Sequence, residues 1–386
     1  MPIYHQLGRV PHKRHVAFRR DEGGLYYEEL MGNKGFTGPA SLLYHLQHPT
    51  QIREVRPLKP LPWTEEEPRQ FKHRHFLTAE LPATASITSD RLPLLFNADV
   101  AIDVVSPQRE DDYFYRNAQG DELVYVTEGE GVLESVVGNI SFGPGDYLVI
   151  PRSILHRFRF TKMPVRGLVI ESAGYIRTPK RYRNEHGQLT ENAPYSERDI
   201  RRPAALETYD ERGEFSLVVK KDHRLTEFVL DHHPFDVVGW DGYYYPWALN
   251  IHDFEPRVGR VHLPPPTHQT FEGDNFVVCS FCPRPYDFGA DAVPVPYNHS
   301  NVMSDEVLYY ASAEFMSRKG IKHGSVTLHP DGVPHGPHPG RVEQSLGQAR
   351  TDELAVMVDT FHPLRVSRQA LAIEDKNYYR SWVDHD

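Results

Sequence analysis

The chain contains one pattern twice. Tyr115, Asn117, Asp121, Glu122 and Tyr125 can be laid over His299, Asn301, Asp305, Glu306 and Tyr309. Gly145, Pro151 and His156 then fall on Gly324, Pro330 and His335 with identical internal spacing. Such a repeat means that one structural unit is built twice, which restricts the available folds more than any local propensity does. The copies differ at one chemically important place. Both keep the carboxylate and the late histidine, but the second opens with His299 where the first has Tyr115. Only the second can assemble three metal ligands, so one metal site is expected, in the C-terminal half.

The repeat lies in a β pattern. From Val100 onward, short alternating runs such as DELVYVTEG, GVLESVV, DYLVIP and HRFRF are divided by Gly, Pro and Asp turns, as in an antiparallel sandwich or barrel. The polar run PKRYRNEHGQLTENAPYSERDIRRP reads as a linker. The expectation is an all-β, two-domain chain. Residues 1–215 form a β-rich domain with a degenerate, metal-free barrel, and residues 216–386 form the barrel that carries the metal. The first hundred residues, with Pro-rich joints such as PLKPLPW, are expected to be irregular and to pack across the barrels or between subunits. Only SRQALAIEDKNYYRSWV suggests a short helix.

Composition excludes some classes. A net charge of -10 argues against a nucleic-acid binder. No run approaches 18 apolar residues, and the first residues, MPIYHQLGRVPHKRH, lack the apolar run of a signal peptide. A cytoplasmic protein with no membrane partner is expected. Cys279 and Cys282 are the two cysteines. Residues three apart on a strand face opposite ways, so they are expected to be buried strand cysteines and not a zinc or redox pair.

His299-x-Asn301-x4-Glu306 followed by Gly324-x5-Pro330-x4-His335 resembles the two signature motifs of the cupin family. The resemblance implies neighbouring hairpins whose side chains converge inside a barrel mouth. Many cupins place a second histidine where this chain has Asn301, a poor ligand. His299, Glu306 and His335 remain, a 2-His-1-carboxylate set whose open positions suit a non-haem Fe(II) oxygenase. Asp305 competes with Glu306, and neighbouring strand residues face opposite ways. Register with Glu122 favours Glu306.

The whole chain resembles the homogentisate 1,2-dioxygenase family, in its shorter bacterial form, through GFTGPASLLYHLQHPT, HHPFDVVGWDGYYYPW, YNHSNVMS and TLHPDGVPHGP. The resemblance implies a C-terminal cupin barrel holding one Fe(2+). It also implies ring cleavage of homogentisate by O2 to maleylacetoacetate, in tyrosine and phenylalanine breakdown, by a homo-oligomer. Residue by residue, it assigns His299 and His335 to the metal, Tyr297 to the substrate carboxylate, and His329 to a place beside the metal and substrate. The family's acid/base histidine falls on His262, with His268 as the alternative. The chain departs from the family at a tyrosine, where Glu314 and Phe315 stand, and at a lysine, near which lie Arg318 and Lys319. Tyr309 and Tyr310 either substitute for that tyrosine or pack. These departures leave two other readings: a dioxygenase of gentisate or another dihydroxybenzoate, and a non-catalytic bicupin that binds a small acid.

Overall fold

The run DELVYVTEGEGVLES forms one strand, Asp121–Ser135, buried on both faces over its first six residues and alternating thereafter. A strand of that kind needs sheet on either side and cover above and below. The computed structural model, which describes residues 3–61, 63–312, 315 and 317–383, supplies both. Asp121–Ser135 pairs with His156–Ser172 and Asp146–Ile150 in a twelve-stranded sheet that continues through Phe114–Asn117, Arg212–Lys221, Arg224–His232 and Glu54–Pro60. A second, six-stranded sheet runs in the order Gln269–Glu272, Phe276–Phe281, Ala355–Thr360, Asp305–Tyr310, Ser325–His329 and Arg74–Leu77. The molecule is therefore an all-β bicupin of two domains. Each copy of the repeat lies in one of these sheets.

The repeat's fixed glycines have a backbone reason. Gly145 and Gly324 sit at φ +88° and +77°, a left-handed conformation that a side chain disfavours. Each sits just before a repeat strand, Asp146–Ile150 or Ser325–His329.

Aromatic side chains join the two barrels. The Tyr147 ring lies 5.1 Å from Phe271, and Trp247 lies 5.5 Å from the same ring. The Tyr147 hydroxyl is 2.8 Å from Ser280 Oγ across the seam. Tyr125 meets its repeat counterpart Tyr309 at 6.1 Å, and the Tyr309 hydroxyl donates to Thr127 Oγ1 at 3.2 Å. Tyr309 thus packs between barrels, and Tyr310 is fully buried with its hydroxyl 3.2 Å from Thr327 Oγ1. Cys279 and Cys282 are both buried and free.

Three expectations need correction. The division at 215/216 falls inside the strand Arg212–Lys221, which hydrogen-bonds in parallel to Phe114–Asn117. The N-terminal sheets continue to Trp247–Asn250, which pairs with Asp146–Ile150. The first hundred residues are not irregular. Thr37–His45 pairs with Val237–Gly242, and Arg74–Leu77 crosses over to form the outer strand of the C-terminal sheet beside Ser325–His329. These pairings are long-range, so local composition carries no trace of them. The suggested helix is instead two 3-10 turns, Gln369–Ile373 and Tyr378–Arg380. The turns close through bonds three residues back, such as Ala370 N–H to the Ser367 carbonyl and Arg380 N–H to that of Asn377, and between them Glu374 bridges to Phe76. Among the described residues no helix is long and apolar enough to cross a membrane.

Candidate metal centre

Strand geometry selects between the two adjacent carboxylates. Asp305 and Glu306 are neighbours on Asp305–Tyr310 and point to opposite faces. The Asp305 carboxylate accepts from the backbone N–H of Asp331 at 2.7 Å and of Leu364 at 2.6 Å. Its counterpart Asp121 accepts from the N–H of Arg152 and Ile176, each at 2.9 Å. Both aspartates anchor loops. Glu306 faces the barrel interior, where its Oε2 lies 3.7 Å from His299 Nε2 and 3.6 Å from His335 Nε2.

The backbone and two carbonyls aim the histidines. His299 and His335 exchange backbone hydrogen bonds, N–H to O, at 2.8 and 2.9 Å. Each Nδ1–H donates to the carbonyl two residues earlier, Tyr297 at 3.2 Å and Val333 at 3.1 Å. A carbonyl can only accept, so Nδ1 carries the proton and Nε2 presents its lone pair inward. His335 Nε2 is buried with no hydrogen-bond partner. An unpartnered lone pair, a second imidazole and a carboxylate, with ligand atoms all within 4.8 Å of one another, fit a divalent ion.

His329 stands behind Glu306. Its Nδ1–H donates to Glu306 Oε1 at 2.8 Å, which leaves Oε2 for the ligand cluster. It is fully buried and does not line the cavity, so what it touches is the Glu306 carboxylate, from behind. Burial holds its pKa down at about 3, so the ring is neutral. Burial pushes the Glu306 carboxyl up, but the surrounding imidazoles of His299, His329 and His335 outweigh it and hold it well below the usual range. The neighbouring Glu306 carboxylate in turn raises His299.

The cavity beside the cluster is lined by His262, His268, Phe281, Phe315 and three arginines, Arg257, Arg284 and Arg318. His262 Nε2 is buried without a partner, and its Nδ1 lies 3.9 Å from Asp287 Oδ2. His268 lies deeper, 6% exposed; burial, then Arg284 and His262, lower its pKa to about 3. Tyr297 is 61% exposed at the rim, its ring 5.1 Å from His262 and outside the cavity wall. Arg284 pairs with Glu353 at 2.7 Å. Arg318 is 6% exposed; its Nη1 donates to the Gly336 carbonyl, and its Nε has no partner. Among the described residues no carboxylate pairs with it. Glu314 lies outside the described residues, and Lys319 is exposed and off the cavity wall. Asp287, Arg284 and Glu353 had no spacing signal in the sequence; only the fold brings them to the cavity.

The homogentisate 1,2-dioxygenase N-terminal domain matches residues 46–251, and the corresponding C-terminal domain matches residues 250–386. The chain belongs to that family. Within it, a protein of Saccharolobus solfataricus named "Putative dioxygenase" is 43% identical over 385 residues, covering 99% of each chain. Homogentisate 1,2-dioxygenases of Bradyrhizobium diazoefficiens and Rhodopseudomonas palustris strain BisA53 are 27% and 30% identical, each over 69% of this chain. This family member spans 61% of the length of those two enzymes. A cupin barrel protein from Leptotrichia buccalis has a TM-score of 0.31 at 11% identity, covering 71% of this chain and 90% of its own.

Proposed function

We propose that this dioxygenase-family enzyme is an Fe(II)-dependent, ring-cleaving dioxygenase that converts homogentisate and O2 to maleylacetoacetate. The observation that carries the reading is the convergence of His299 Nε2, His335 Nε2 and Glu306 Oε2 at the side of a cavity. Three ligands leave coordination positions free. Iron held by His299, Glu306 and His335 would supply the Lewis acidity and electron exchange that the reaction of substrate with O2 requires.

The remaining residues prepare the substrate. His262 takes the phenolic proton at Nε2, the buried atom without a partner, with Asp287 near its other nitrogen. Tyr297 packs edge-on to His262 at the rim and limits water entry. Arg318 meets the substrate carboxylate, because a buried guanidinium that no carboxylate among the described residues pairs favours an anion strongly. Phe281 and Phe315 supply apolar wall for the ring.

One observation favours a shorter acid such as gentisate. Glu314 and Phe315 stand in the area of the family's tyrosine, and its lysine has no exact counterpart, with Arg318 and Lys319 nearby, so a longer acid arm loses two family contacts. Both readings are tested together. The protein is reconstituted anaerobically with Fe(II) and given homogentisate or, in a parallel sample, gentisate and then air, while O2 uptake and ultraviolet absorbance are followed. Stoichiometric O2 uptake with a ring-opened product, lost in His299→Ala, supports the proposal. Turnover of gentisate alone moves the substrate. No turnover of either, with iron bound, leaves a small-acid-binding bicupin.

A further inference from the structure

The C-terminal turn touches the metal centre from the side away from the cavity. Tyr378 is buried, and its hydroxyl lies 3.2 Å from His329 Nε2. Because His329 Nδ1–H is committed to Glu306, Nε2 carries only a lone pair, and the tyrosine must donate to it. A directed chain results: Tyr378 hydroxyl to His329, His329 to Glu306 Oε1, with Glu306 Oε2 left facing His299 and His335.

The same turn also grips the segment that carries His335. Trp382 Nε1 donates to the Gly336 carbonyl at 3.1 Å. His338 Nδ1 accepts from the Lys319 N–H at 2.6 Å, so its Nε2–H donates to Ser381 Oγ at 2.9 Å. The Trp382 ring lies 4.4 Å from His338 and 5.2 Å from Tyr378. Five residues of sequence thus reach two of the three candidate ligands, one through His329 and one through the 336–338 segment.

We infer that residues 378–382 form an outer clamp on the metal centre, with Tyr378 as the positioning residue for Glu306. The inference rests on the reading of His299, Glu306 and His335 as metal ligands. A carboxylate that is free to rotate presents either oxygen to an ion at an entropic cost. One tied at Oε1 is already oriented. Loss of such an outer partner typically weakens metal binding by about 10- to 100-fold. Linkage runs both ways, so metal binding also tightens the turn on the barrel.

The test titrates the metal-free, full-length protein with Co(II) and reads the visible d–d bands, alongside anaerobic Fe(II) binding. Tyr378→Phe keeps the ring and removes the hydroxyl; Tyr379→Phe, at an exposed neighbour, is the control. The expected result is roughly tenfold weaker binding and shifted bands in Tyr378→Phe alone, with the metal-free melting temperature near that of the parent. Affinity within about twofold of the parent, with identical bands, overturns the inference while the parent's own stoichiometric binding keeps the metal reading intact. No metal uptake by the parent overturns both. If Tyr378→Phe does not fold, Ser381→Ala removes two neutral hydrogen bonds, one with His338 Nε2 and one to the Tyr378 carbonyl, and is expected to weaken binding roughly two- to tenfold; unchanged affinity there overturns the clamp.

Discussion

Arg91 Nη1 lies 2.8 Å from Glu122 Oε1 inside the first barrel, at the carboxylate that corresponds to Glu306. The guanidinium supplies there the positive charge that a metal supplies in a working cupin site. His156 keeps the ligand-type arrangement, with Nδ1–H donating to the carbonyl of Ile154 at 2.9 Å and Nε2 unpartnered. Asn117 and Lys220 complete the compensation, Asn117 by donating to Glu122 and Glu171 and Lys220 by pairing with Glu171. Arg91→Met leaves Glu122 buried without its cation. The expected loss is about 3–5 kcal/mol of stability, read from the urea midpoint, with metal content of the folded fraction unchanged.

Asp305 and Glu306 are adjacent and should fail differently. Asp305→Ala removes two charge-assisted hydrogen bonds to backbone N–H groups. It is expected to lower stability by roughly 2–4 kcal/mol, while folded protein still binds one metal per chain. Glu306→Ala is expected to lose metal binding and to gain nothing from added metal on heating. The parent, saturated to about 100 times Kd, should be stabilised by about 2.7 kcal/mol, and a chelator should abolish that gain. Metal analysis after gel filtration, paired with melting curves, separates the two variants.

What could be read from the sequence followed from local rules. Gly145 and Gly324 mark left-handed turns, and the one-residue step from Asp305 to Glu306 decides which side faces inward, so the repeat alone placed the second barrel's cluster. Arg91 was invisible. It lies 31 residues from Glu122 with no motif around it, and only the fold brings the charges together. The misplaced domain division has the same origin, because Arg212–Lys221 owes its membership of the N-terminal sheet to pairing with a strand about a hundred residues earlier. His329 was placed near the site by its spacing from His335, but spacing cannot tell front from back. Its pairing opposite Glu306 on the adjacent strand decides that.

His268 makes the fold sensitive to acid. Burial, with Arg284 and His262 nearby, depresses its folded pKa to about 3, against about 6.5 in an unfolded chain. Between those values the unfolded state holds one more proton, so stability rises with pH through the window and is flat above it. Acidification from about 6.5 toward 3 therefore costs roughly 1.4 kcal/mol per unit from this residue. His268→Gln should reduce the slope of stability against pH by about one proton between pH 4 and 6. An unchanged slope would mean that the ring titrates normally in the folded protein.

Arg318 tests what the cavity recognises. It is buried in the wall, its Nε is unpartnered, and no carboxylate among the described residues neutralises it. Arg318→Met keeps the length and the apolar stem but removes the charge. A charge-assisted hydrogen bond to a carboxylate contributes about 1.5–3 kcal/mol, so kcat/KM for homogentisate should fall roughly 10- to 100-fold. If the contact is the same in ground and transition states, the loss appears in KM with kcat held. Methylhydroquinone, which has the same ring without the acid, should be a poor substrate of the parent and should lose less than threefold in the variant (about 0.6 kcal/mol). Equal losses for both substrates would instead assign Arg318 to the support of Gly336 and the metal loop, since its Nη1 already donates to that carbonyl.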